Sequence, residues 1–128
     1  KPNFPLDNLS PLCDSTNMEA RPRQLIVYQT PEGEEPFTRW YRSLRDVEAV
    51  ARITRRLDRM EAGNTGDCKA VGEGVLELRV DYGPGYRVYF GQDGDTWVVL
   101  LVGGDKGTQA KDIQSAKRYW CDYKERKP

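Results

Sequence analysis

Apolar residues are grouped along this chain in short runs whose spacing changes from strand-like to helical and back. Gln24-Leu25-Ile26-Val27-Tyr28-Gln29 is a compact apolar run closed by Thr30-Pro31, which reads as a first strand. Phe37, Trp40, Tyr41 and Leu44 recur at helical spacing and predict a short helix. Asp46 can cap a second helix with the stripe Val47, Val50, Ile53, Leu57 and Met60, and Gly63 stands where a left-handed terminator is wanted. So tight a connection makes the two helices a helical hairpin. In Val75 to Val80, Leu76, Leu78 and Val80 alternate with Glu77 and Arg79. Asp81-Tyr82-Gly83-Pro84-Gly85 then turns the chain, Tyr86 to Phe90 returns it, and Asp93-Gly94 signals a second turn. Trp97 to Val102 is continuously apolar, as a central strand covered on both faces should be, and Gly103-Gly104 is expected to break it. Thr108 can cap a last helix with the stripe Ile113, Ala116, Trp120 and Tyr123. The order β-α-α-β-β-β-α predicts an α+β domain: a mainly antiparallel four-stranded sheet, an N-terminal helical hairpin and a C-terminal helix.

Residues 1–17 carry three prolines and no periodicity. They read as a disordered or non-native N-terminal extension, with Met18 as a candidate start and residues 18–128 as the domain. The hydrophobic share of 38% is low, yet its clustering into periodic runs excludes a wholly disordered chain. Twenty basic and twenty acidic residues cancel, which argues against indiscriminate nucleic-acid binding. They are unevenly spread, however. Residues 20–60 hold nine arginines against six acids, 61–105 hold three basic residues against eight acids, and 106–128 hold seven against three. A local site for an anion is therefore compatible with zero net charge. Cys13, Cys68 and Cys121 are odd in number and far apart, and the chain has no histidine. Reduced thiols are the simplest reading, and neither a metal site nor a cofactor is expected. No run is long enough to span a membrane, so a cytoplasmic protein with no membrane partner is expected.

Side chains alternate between the faces of a strand, so parity locates the candidate chemistry. If the apolar sets of the hairpin share one core, Glu77, Arg79, Arg87 and Tyr89 project together from the other face, with Lys106 at the rim. Guanidinium groups bind phosphate oxygens by paired hydrogen bonds and a tyrosine ring can stack on an unpaired base. RNA supplies its own nucleophile, the 2′-hydroxyl, leaving the protein to position it, move a proton and neutralise charge. Without histidine, any base must be a carboxylate or the substrate's surroundings. Plainer roles stand beside these: Arg79 in a cross-strand ion pair, Arg87 and Lys106 as surface charges, Tyr89 packed on a helix. Arg52, Arg55, Arg56 and Arg59 likewise form either a solvated face of the second helix or an RNA contact.

Thr30-Pro31, Phe37 with Trp40, Leu44-Arg45-Asp46, Gly63-Asn64-Thr65-Gly66-Asp67, Lys69, Gly72-Glu73-Gly74, Glu77-Leu78-Arg79, Asp81 to Phe90, and Gly103-Gly104-Asp105-Lys106 with Thr108-Gln109 and Asp112-Ile113 stand in one order. Over about residues 24–123 this series resembles the addiction module killer protein branch of the RelE/HigB-type toxins. The resemblance implies a RelE-like fold, a helix-turn-helix (HigA-like) antitoxin as partner, and endonucleolytic cutting of mRNA at the ribosome without a metal. Arg87 matches the superfamily's phosphate-contacting arginine, and Lys106 falls near a second basic position. Arg79 and Lys69 match recurrent basic positions. Glu77 departs from the lysine-rich strand of many relatives, and Asp112-Ile113 stand where a tyrosine or histidine is frequent. The acid and base are therefore not carried over, and Glu73 and Glu77 are candidates only by proximity. Two alternatives are a ParE-like, non-enzymatic gyrase poison and a degenerate member that binds antitoxin without toxicity.

Overall fold

The computed structural model describes residues 22–127, so the expectations for residues 1–17 and for Met18 lie outside the described residues. Strand β1 (Gln24–Val27) is followed by helices α1 (Pro36–Ser43) and α2 (Val47–Glu61). Strands β2 (Cys68–Gly72), β3 (Val75–Val80), β4 (Tyr86–Asp93) and β5 (Trp97–Asp105) come next. A 3-10 turn (Lys106–Thr108) then leads into α3 (Gln109–Arg126).

The α+β class holds, but the sheet and the element order need correction. The sheet has five strands in the order β1-β5-β4-β3-β2, and it is mixed because β1 runs parallel to β5. The additional strand, β2, pairs antiparallel with β3 and bends at Ala70/Gly72. It is an edge strand with Lys69 and Ala70 exposed, and so lacks the apolar run by which a buried strand is recognised.

Helix α2 begins where expected, with the Asp46 side chain accepting from the backbone N–H groups of Glu48 and Ala49. Its inward stripe differs by one place. Val47 is 82% exposed while Ala49 is fully buried beside Ile53, Leu57 and Met60. Those residues, with Phe37, Leu78, Val80, Val88, Phe90, Val98 and Leu100, form the core on one face of the sheet. On the other face α3 lays Ala116 and Trp120 against Tyr28, Val75, Tyr89, Val99 and Leu101. The sheet is thus the middle layer of three. Gly103-Gly104 do not break β5 but lie within it, because both faces need clearance there. A Cβ on Gly103 would enter the Trp40 ring, and one on Gly104 would strike Asp112 and Thr108.

Cys121 is a free, exposed thiol, whereas Cys68 is held in a disulfide, so the expectation of reduced thiols does not hold there. No helix among the described residues is long and apolar enough to cross a membrane.

The end of α3 is tied back to the sheet by two phenols. Tyr28 donates to Asp122 (2.6 Å) and Tyr123 donates to Asp93 (2.8 Å). Burial first, then the adjoining carboxylates, push Tyr28 and Tyr123 up to about 12. These values exceed the ordinary phenol value of about 10, so both groups favour the fold while protonated. Their contribution is complete below about pH 10 and is lost as pH rises through about 12. Tyrosinate absorbance should show late-ionising phenols that Tyr28→Phe and Tyr123→Phe remove. Simultaneous ionisation of every tyrosine in the folded protein near pH 10 would contradict these two contacts.

Candidate functional site

In the β3–β4 ladder Glu77 stands opposite Tyr89 and Arg79 opposite Arg87. The expected parity is therefore realised: the four side chains leave one face. That face is not open, because α3 lies across it. Glu77 is completely buried and Tyr89 is 0% exposed. One Glu77 oxygen, Oε2, accepts from the Tyr89 hydroxyl (2.9 Å) and from Gln109 Nε2 at the start of α3 (2.9 Å). Arg87 Nε lies 3.4 Å from the same oxygen, and the other oxygen, Oε1, is buried without a hydrogen bond. Burial, reinforced by Glu77, raises the Tyr89 phenol far above its ordinary range. Asp112, on the same end of α3, is raised chiefly by burial while accepting from Thr108.

Three expectations change accordingly. Arg87 is not an exposed guanidinium: its side chain is 13% exposed, paired inward with Glu77, while Nη1 donates to the Gly85 carbonyl (2.9 Å). Glu77 has no exposure through which to take a proton from a substrate, and a carboxylate this deep needs its donors to remain buried at all. Tyr89 has no free ring face on which a base could stack. Glu73 is also set apart. It stands in the β2–β3 turn with a left-handed backbone (φ 55°), exposed, with Lys117 at 3.6 Å. Val75 to Arg79 alone spans about 13 Å of strand, so Glu73 lies at the far end of the hairpin.

Arg79, Arg87 and Lys106 do converge. Arg87 pairs with Gly104 across the β4–β5 ladder, two residues before Lys106. A Cβ placed on Gly85 would lie 3.2 Å from Arg87 Nη1 and 3.7 Å from Lys106 Cβ. Lys106 is exposed at the opening of the 3-10 turn. Beside it a cleft of about 260 Å³ is lined by Asp67, Arg79, Val80, Asp81, Gly85, Tyr86 and Arg87. Arg79 is 40% exposed and reaches Asp67 Oδ1 through Nη2 (2.8 Å) and Nε (3.2 Å). That bond, first among its causes, holds the Arg79 guanidinium even higher than usual.

The arginines of α2 divide into two kinds. Arg56 is half-buried and donates to the carbonyls of Arg79, Thr65 (3.0 Å) and Asp67 (3.2 Å), with burial lowering its affinity for its proton. Its guanidinium is directed at backbone carbonyls and braces the segment that carries Asp67. Arg52 is exposed, bonded to Glu48 (2.9 Å) and stacked over Tyr82 at 4.6 Å. Arg55, Arg59 and Lys69 face solvent. Asp67 and Gln109, which hold Arg79 and Glu77, were not candidates from the sequence. Asp67 sits in the Gly-Asn-Thr-Gly-Asp segment, which marks it only as part of a turn.

Two comparisons with known proteins bear on this chain. A protein of Haemophilus influenzae, described as uncharacterised, is 48% identical over 81 residues, covering 63% of this chain and 82% of its own length. Residues 39–120, from α1 through the cleft to Trp120, match the family described as Phage derived protein Gp49-like (DUF891). The chain belongs to the Gp49-like family of phage-derived proteins.

Proposed function

We propose that this protein is the toxin of a type II toxin–antitoxin system and an mRNA endonuclease acting at the ribosome, silenced by a helix-turn-helix, HigA-like antitoxin. Membership of the Gp49-like family supports the toxin assignment. The observation that carries the nuclease reading is the convergence of Arg79, Arg87 and Lys106 at one open end of the sheet. In this reading Lys106 and Arg79 meet phosphates flanking the cut. Arg87, held rigid by Glu77, presents its Nη edge to the cleft as a preorganised donor. The 2′-hydroxyl attacks the adjacent phosphorus and the 5′-oxygen leaves. Asp67 and Asp81 are the carboxylates lining the cleft, and so within reach of the proton that departs. No metal or cofactor enters this scheme.

Lys106→Ala is the cleanest test, because the side chain is exposed and no described contact depends on it. Losing one charged phosphate contact is expected to lower cutting roughly ten- to a hundredfold with the melting temperature unchanged. RNA ends would be mapped in cells after induction without antitoxin. Growth arrest with no new RNA ends would remove the nuclease reading.

One observation favours a second reading. Arg87 is mostly buried and its charge is countered by Glu77, as suits a framework residue in a protein that acts by contact alone. A ParE-like gyrase poison would then arrest supercoiling in vitro while leaving RNA intact.

A further inference from the structure

The two arginines of the cleft differ in how they are neutralised. Arg87 is paired with a carboxylate that water does not reach. Arg79 is paired with Asp67, and both side chains are open to solvent, 40% and 50% exposed. Yet Asp67 is not loosely placed. Its carbonyl accepts from the Arg79 backbone N–H (2.9 Å) and from Arg56 Nη2 (3.2 Å), so the ladder and the α2 arginine both fix its backbone. Gly66 before it has φ +70° and lies so close to Arg56 that a Cβ would come within 2.9 Å of the guanidinium. A carboxylate is therefore anchored through its backbone at the cleft, on the more exposed of the two guanidinium groups.

We propose that Asp67 is a built-in competitor for the cleft, a carboxylate that a polyanionic phosphodiester displaces from Arg79 and that an isolated small anion does not. The inference rests on the reading of the cleft as a phosphate site and adds what sets its selectivity. An exposed ion pair contributes little stability, so its rupture is a small penalty for a ligand that also engages Lys106 and Arg87. A lone phosphate reaches fewer cations and meets the repulsion of Asp67 and Asp81 without that compensation. Arg56 contributes as a positioning residue by holding the Asp67 backbone.

The experiment measures binding, not cutting, with a fluorescent single-stranded 2′-deoxy oligonucleotide, which lacks the attacking hydroxyl, and inorganic phosphate as the small competitor. The expected result is that Asp67→Asn tightens oligonucleotide binding about three- to tenfold while the log–log salt slope stays the same, because Arg79 meets a phosphate in both proteins. Inorganic phosphate should then compete at lower concentration than in wild type. In an Arg79→Gln background the gain should vanish, which separates release of Arg79 from a general change of charge. A gain that persists there, or an Asp67→Asn protein that binds no tighter while Lys106→Ala weakens binding, overturns the competitor role and leaves the phosphate site standing. No salt-dependent binding by either wild type or Asp67→Asn overturns both.

Discussion

Arg87→Ala should lower the unfolding free energy by about 3 kcal/mol or more, because it strands a buried carboxylate. Glu77 is 0% exposed and, among the described residues, Oε1 has no donor and Arg87 is the cation paired with Oε2. Tyr89 and Gln109 would remain as neutral donors, which keeps the loss towards the lower end of what broken buried pairs show. Urea unfolding at neutral pH measures it, and the double variant Glu77→Gln with Arg87→Ala should recover most of the loss. Equal unfolding midpoints for wild type and Arg87→Ala would mean that the pair contributes nothing. The expectation has a practical side. Loss of activity in Arg87→Ala alone would report folding as much as chemistry, so Lys106 is the better probe of the cleft.

Gly103→Ala should be comparably damaging, by ~3 kcal/mol, for a steric reason. The added methyl would enter the indole of Trp40, which is confined between Phe37 (centroids 5.8 Å apart) and Tyr86 (6.4 Å). Gly91 plays the same part on the opposite face, where a Cβ would approach Trp120 Cε3 to 2.5 Å. Gly94→Ala is the comparison, since nothing lies within 4 Å of its Cβ position and only its left-handed φ of 68° is strained. Thermal melting should place Gly103→Ala and Gly91→Ala well below Gly94→Ala. Melting of all three at one temperature would show that the tryptophans reseat freely.

The sequence was most legible where periodicity and a terminator coincide. Asp46, the α2 stripe from Ile53 to Met60 and the Leu76–Val80 alternation all stand as the pattern implies. Parity also placed Glu77, Arg79, Arg87 and Tyr89 on one face. What parity does not reveal is whether a polar face meets water. Here α3 covers it, and the clue was Gly91, a strand glycine that makes sense only with Trp120 seated on it. Gly103-Gly104 were misread for the same reason, since a glycine that interrupts a strand and one that admits a ring look alike in sequence. Asp67 and Gln109 were invisible because ordinary turn and helix-start residues acquire their meaning from a partner 12 and 32 residues away.

Strand β1 has one further consequence, for the order of events during synthesis. It is made early but pairs with β5, and Tyr28 in its wake finds Asp122 only 94 residues later. Closure of so long a loop is entropically unfavourable until both late elements exist, which makes docking of β1 and α3 a slow, terminal step. Until β5 and α3 have been made, the chain therefore holds β1 unpaired and the Tyr28 hydroxyl without Asp122.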